Sequence, residues 1–409
     1  MRLSRFIWAL PVLLSLVFSC RETDFTPDSG SAEPYTPPTR GEVQETRKVM
    51  IMYSAGFNDL ARSLMQDLED FTEGFVPNSS TWSDNILLVL SRNRLYDNST
   101  PVAPVLYRIY KDRDGTVIQD TLKQWDKKVQ ATDPELMTEV LRYAKTHFPA
   151  KGYGLVYSSH ASGWLPDPDR TKGASVMSVG QDSDTGRVHE MELYEFVNAI
   201  PYKLDYVLFD ACFMACVEVA WALKDITPLV GFSPTEIISD GFNYSTLAER
   251  LIGSTEPDVQ GVCEDYFAQY IAPGQRSPYA TITLVDNRHL DALAAQCRTL
   301  FEKYRPQIAA LKYNQVQKYF RPGHNVNHEH LYDLRDMLVK AGMDAQETAA
   351  FDKALNACIL YERHTDYFMS LPLVNVCGLS VFLPSTGDDN LKTYYKTYVD
   401  WNTETQLID

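Results

Sequence analysis

Leu204–Asp225 reads LDYVLFDACFMACVEVAWALKD, and this stretch decides the architecture. Leu204 to Asp210 is apolar with little polar alternation and runs straight into a segment of helical pattern, so it reads as a strand feeding a helix. The same alternation lies upstream. KVMIMYSA (Lys48–Ala55) precedes NDLARSLMQDLEDF, where Leu60, Leu64 and Leu68 recur at helical spacing after a polar cap at Asn58 or Asp59. ILLVLSR (Ile86–Arg92), a helical pattern over Pro134–His147, YGLVYSS (Tyr153–Ser159) and a helix near Glu190–Ala199 follow. Strands apolar on both faces, with helices between them, predict a largely parallel sheet covered on both sides, a three-layer α/β sandwich. Beyond it, ALAAQCRTLFEKY, HLYDLRDMLVKAGM and TAAFDKALNACILY keep a 3.6-residue apolar period, and CGLSVFLP reads as a buried strand. The expected organisation is a main domain over 48–290 and a mainly helical subdomain over 291–409 that returns strand 377–383 to the sheet.

At 409 residues the chain has room for roughly two to three domains of about 150 residues each. Its 44% hydrophobic and 22% charged content is that of a folded globular protein. A net charge of −16, from 38 Lys and Arg against 54 Asp and Glu, opposes the phosphate backbone and argues against nucleic-acid binding.

The amino terminus, MRLSRFIWALPVLLSLVFSC, sets Arg2 and Arg5 ahead of an apolar run from Phe6 to Ser19. This is the pattern of a secretion signal, and the run is shorter than the ~20 residues that cross a bilayer. Cys20 directly after it resembles the lipobox of bacterial lipoproteins, which implies lipidation of Cys20 and attachment to the membrane of a cell envelope or surface. Plain secretion with cleavage near this point is the alternative. Residues 21–47, rich in Pro, Ser, Thr and Glu, read as a disordered tether. The six further cysteines show no closely spaced disulfide framework and are expected to be buried thiols, Cys212 excepted.

In a parallel sheet the chemistry gathers at the carboxyl ends of the strands. One strand ends in Ser158-Ser159-His160 and the next in Phe209-Asp210-Ala211-Cys212. If the two are neighbours, an imidazole and a thiol lie side by side, with Cys212 near a helix amino terminus that would favour its thiolate. A small buried Cys and a structural His are the plainer alternatives. Cys216 is expected to be buried. His324, His328 and His330, with Glu329, lack the HExxH spacing and read as a polar loop, and Asp182–Asp184 lacks EF-hand spacing.

On these residues the chain resembles the clostripain family of cysteine peptidases, whose fold is caspase-like. The likeness rests on DACFMACVE above all, and extends to VMIMYSAGFNDL, LVGFSPTEIISDGFNY, TITLVDNRHL, HLYDLRDML and CGLSVFLP. It implies Cys212 as nucleophile and His160 as acid/base partner in a dyad that requires no third residue, with an oxyanion held by the N–H groups of Ala161 and Cys212. It implies protein or peptide substrates cut after Arg or Lys, with Asp210 and Asp240 as pocket acids. Plainer roles for these two are a helix cap and a turn residue before Gly241. Self-cleavage at Arg170 or Lys172, in the long loop after His160, is a further implication. No cofactor is expected; calcium dependence occurs in the family, but no ligands can be placed here. A monomer is expected. Ala161 departs from the Gly that usually follows the family's catalytic His, and a positive φ there would strain it. That departure motivates the alternative of a weak or inactive surface lipoprotein that binds protein partners.

Overall fold

Parallel pairing of five strands sets the centre of the molecule. The computed structural model describes residues 44–78, 85–93, 102–166, 179–183, 188–323 and 329–409. In chain order the first half contains β1 (Gln44–Gly56), α1 (Ala61–Glu73), β2 (Ile86–Asn93), β3 (Val105–Lys111), β4 (Val117–Gln124), α2 (Pro134–His147), β5 (Ala150–Ser158), β6 (Val179–Asp182), β7 (His189–Met191), α3 (Leu193–Ala199) and β8 (Tyr206–Asp210). The second half contains α4 (Val217–Ala222), β9 (Leu229–Phe232), α5 (Tyr244–Ile252), α6 (Val259–Ile271), β10 (Thr281–Asp286), α7 (Leu290–Ala310), β11 (Leu331–Asp333), α8 (Leu334–Ala341), α9 (Ala345–Cys358), β12 (Ile359–His364), β13 (Tyr367–Phe368), β14 (Leu371–Pro372), β15 (Ser380–Phe382), α10 (Asp389–Tyr398) and α11 (Asp400–Thr405).

Nine strands form one sheet in the order β12-β10-β9-β8-β5-β1-β2-β3-β4. The pairs β9/β8, β8/β5, β5/β1 and β1/β2 are parallel; both margins are antiparallel. Alternation along β1 serves two cores. Val49, Ile51 and Tyr53 pack into one with α2, α3, α4 and the helices from α7 onward, whereas Met50 and Met52 pack into the other with α1, α5 and α6. The molecule is thus the three-layer α/β sandwich that the strand pattern predicts.

Four expectations are corrected. The tether does not reach residue 47, because β1 begins at Gln44 and Arg47 is already buried. Residues 41–409 form a single compact unit, and α7 to α11 share a core with α2 to α4, so no boundary falls at 290/291. The helix expected through Tyr361 stops at Cys358, where the half-exposed ILYERH leaves it and pairs as β12 along β10. With that edge taken, the strand expected to rejoin the sheet from 377–383 instead pairs as β15 with β11 in a separate two-stranded sheet. β15 still reaches the segment after Cys212, through Ser380 N–H to Ala215 O at 2.8 Å and Phe382 N–H to Glu218 Oε1 at 2.9 Å.

Candidate active site

Strands β5 and β8 pair in parallel with Ser158 opposite Asp210. His160 and Cys212 therefore follow at the same offset past neighbouring strand ends, and both line one cleft of about 410 Å³. Its walls come from Leu60, Ser63 and Leu64 of the α1 region, Asp210 at the end of β8, and Glu236, Ile237 and Ile238 after β9.

Two backbone features bring the loops together. Phe213, directly after Cys212, has φ 61°, the left-handed region that a bulky residue enters only under strain, and its N–H is held by Thr235 O at 2.8 Å. Gly163 has φ 73°, and a Cβ there would lie 2.6 Å from Cys216 Sγ and 2.9 Å from Phe213 O, so only glycine lets the His160 loop close onto the Cys212 turn. Cys216 is buried and donates from Sγ to Phe213 O at 3.0 Å. Ala161 is not among the positive-φ residues, so the strain that would have disabled its N–H is absent.

The helix after Cys212 begins only at Val217, with Cys216 as its N-cap, so neither thiolate stabilisation by a helix terminus nor capping by Asp210 applies. Cys212 is half-buried, and burial pushes its thiol up to about 12; the Ile237 backbone hydrogen bond and Arg321 oppose this, while Glu236 and Asp210 add to it. Its Sγ accepts the Ile237 N–H at 3.4 Å. Burial thus disfavours the thiolate of Cys212, and ionising it calls for a base. His160 is held by a residue that the sequence reading missed: Nε2 lies 2.6 Å from Oδ1 of Asp59, whose side chain is exposed. Its signal in the sequence is the polar pair Asn58-Asp59 after β1, which reads equally as a helix cap. Asn58 accepts the Leu60 N–H at 2.9 Å just ahead of α1, and it donates to Ala55 O at 3.0 Å and Gln181 O at 2.8 Å, which ties the β1 turn to β6.

Asp210 is buried and accepts from Tyr244 Oη at 2.5 Å and Ser158 Oγ at 3.4 Å. Burial raises its pKa, against those bonds and one from the Phe242 N–H. Gly241, at φ 58°, closes over the carboxylate where a Cβ would sit 2.4 Å from Oδ2. Asp240 is exposed on that turn and is not among the lining residues. Glu236, on the cleft wall, is gripped by Arg321 through two bonds of 2.7 and 2.8 Å. Behind the His160 loop, buried Asp182 of β6 pairs with buried Arg92 of β2 and accepts the Ala131 N–H at 2.8 Å.

Cys20, Arg170, Lys172, His324 and His328 lie outside the described residues. His330 is half-buried, bonds Thr386 Oγ1 at 3.0 Å through Nδ1, and has its pKa pushed down to about 4 by desolvation. Among the described residues no group of three or more His, Cys, Asp or Glu is arranged to hold a metal ion.

A model of the clostripain family matches residues 52–408. Clostripain of Hathewaya histolytica is 22% identical over 420 residues, spanning 87% of this chain and 78% of its own. The inactive zymogen C11 protease of Parabacteroides distasonis superposes with a TM-score of 0.73 at 26% identity, over 90% of this chain and 99% of that one. A secreted C11 cysteine protease of Bacteroides thetaiotaomicron, solved with an irreversible peptide inhibitor, superposes with a TM-score of 0.72 at 25% identity, over 89% and 100% of the two chains. With the match running from the middle of β1 to the residues after α11, the chain belongs to the clostripain family and is a cysteine peptidase.

Proposed function

We propose that this peptidase cuts peptide bonds after Arg, and more weakly after Lys, with Cys212 as nucleophile and His160 as its base and acid. The observation that carries the reading is the β5/β8 register, which sets a thiol, an imidazole and a buried carboxylate around one cleft. With Nε2 engaged by Asp59, Nδ1 of His160 takes the Cys212 proton as the thiolate attacks the carbonyl. The sulfur–carbonyl bond forms, the N–H groups of Ala161 and Cys212 hold the oxyanion, and the same imidazole returns its proton to the departing amine. Water then attacks the thioester, with His160 as base, and releases the acid. Asp210 receives the substrate's cation, since a desolvated guanidinium needs a partner charge. Asp240 acts on that cation from the rim.

Self-cleavage at Arg170 or Lys172 would leave the chain held at Trp164 on one side and at β6 on the other. Trp164 packs at 4.7 Å from Tyr395 and 5.3 Å from Phe382 before the loop, and the Arg92–Asp182 pair holds β6 after it. A relative described as an inactive zymogen supports maturation by cleavage, and a secreted relative supports export, here with Cys20 as the lipid-bearing residue.

The test is release of a fluorophore from peptides ending in Arg, Lys, Ala or Leu, by the purified protein and its Cys212→Ala variant. Turnover of the basic peptides that vanishes in the variant is expected, together with new amino termini after Arg170 or Lys172. Equal turnover of the Leu peptide would overturn the specificity.

A further inference from the structure

Helix α1 lines the cleft with one face and continues that face beneath it. Ser63 and Leu64 contribute to the wall, and Asp67, three to four residues on, is the next position of the same stripe. Asp67 sits among Ala61, Leu64 and Phe71 on the buried side of the helix and is only 3% exposed. Its Oδ2 has no hydrogen-bond partner among the described residues. A carboxylate buried without a donor is costly, and selection for a stable core alone would favour an apolar residue there.

What faces it explains the choice. Phe71, one turn on from Asp67, stands 5.1 Å ring to ring from Tyr244 of α5, and Tyr244 Oη bonds Asp210 at 2.5 Å; Asp210, Asp70 and Asp240 also act on Asp67 through their charges. The charged groups acting on Asp67 are thus acids, with Asp210 foremost among them, and burial and these neighbours raise its pKa. Two buried carboxyls that act on one another resist ionising together, so the second proton leaves only at higher pH or when a cation offsets the charge.

We propose that Asp67 is a positioning residue of the substrate pocket, which holds a proton jointly with Asp210 while the pocket is empty and releases it when a cationic side chain enters. This rests on the basic specificity proposed above. The proton leaves to solvent, the pair gains a negative charge, and that charge meets the substrate's guanidinium or ammonium group. Selectivity for a cation over a neutral isostere then rises with pH, because binding requires deprotonation of the pair.

The experiment compares peptides ending in Arg or in citrulline, its uncharged isostere, across pH for the active protein and its Asp67→Asn variant. Wild type should prefer Arg, with KM for the Arg peptide falling as pH rises through the titration of the pair. Asp67→Asn should raise that KM about tenfold at neutral pH, leave kcat within about twofold, and move the pH limb to lower pH, since Asp210 loses its acidic neighbour. Calorimetry of an Arg peptide binding to Cys212→Ala, in two buffers of different ionisation enthalpy, should show release of about one proton and needs no change at Asp67. No preference for Arg over citrulline would overturn the basic-specificity reading. A clear preference with no proton release, or with an unchanged pH limb in Asp67→Asn, would overturn the role of Asp67 alone.

Discussion

Two sets of buried acids flank the active site, and the molecule treats them in opposite ways. Asp182 is fully buried, yet Arg92 and the Ala131 N–H answer its carboxylate. Asp210 and Asp67 are nearly as buried, but Asp210 is answered by hydroxyls and a backbone N–H, and Oδ2 of Asp67 by no hydrogen bond to a described residue. On the proposed function Asp182, supplied with its own cation, belongs to the scaffold, whereas Asp210 and Asp67, at the cleft and without one, await the substrate's cation. The scaffold pair also connects to His160: it fixes β6, and β6 is tied to the Asn58 turn that carries Asp59, the partner of His160.

The contrast breaks most sharply at the scaffold. Asp182→Ala strands a buried guanidinium and should cost about 3–5 kcal/mol in urea unfolding. A variant of near wild-type stability would erase the distinction. In the pocket, Asp210→Asn should leave stability intact but lower kcat/KM for Arg peptides about a hundredfold, as expected when one partner of a buried charge pair is removed. A similar loss on citrulline peptides would show that Asp210 shapes the site rather than reads charge.

Stability against pH sharpens the same contrast. Asp67 and Asp210 have pKa values raised in the folded state, and buried Glu218, bonded to Tyr395 Oη at 2.8 Å, is raised to about 7. A raised carboxyl contributes stability that is complete below its unfolded value of about 4 and is lost as pH rises through the folded value. The melting temperature of the unliganded protein should therefore fall between about pH 5 and pH 8. Asp67→Asn should flatten that slope and Asp182→Asn should not; equal slopes in wild type and Asp67→Asn would remove the pocket acids from the explanation. The smallest effect is expected at Asp59. Its side chain is exposed, so Asp59→Asn should lower kcat about three- to tenfold with KM unchanged, as read from initial rates on an Arg peptide.

Why some of this could be read in the sequence and some could not follows from burial. Strands β1, β2, β5 and β8 are apolar on both faces, so their ends, and hence His160 and Cys212, stand out against polar loops. The hairpin of β3 and β4 closes the sheet's margin with Arg108 opposite Asp120, and its half-exposed polar residues look like loop. In α1 the eye follows Leu60, Leu64 and Leu68, but the buried stripe is Ala61, Leu64, Asp67 and Phe71. An acid in a core position looks like a solvated one until the fold shows what it faces. Asp59 was hidden differently, since its partner is 101 residues away in sequence. After Cys212, FMAC continues the apolar run and so looks helical, whereas Phe213 at φ 61° interrupts it.

The central claim is that His160 activates Cys212 over an acid-floored pocket. It is tested most directly by the rate at which an acyloxymethyl ketone bearing Arg, or its citrulline analogue, alkylates the protein and its His160→Ala variant, with the modified residue located by mass spectrometry. The account predicts rapid modification of Cys212 alone by the Arg reagent, slow reaction with the citrulline reagent, and loss of the rapid reaction in His160→Ala. Equal rates for the two reagents, or undiminished labelling of Cys212 without His160, would contradict it.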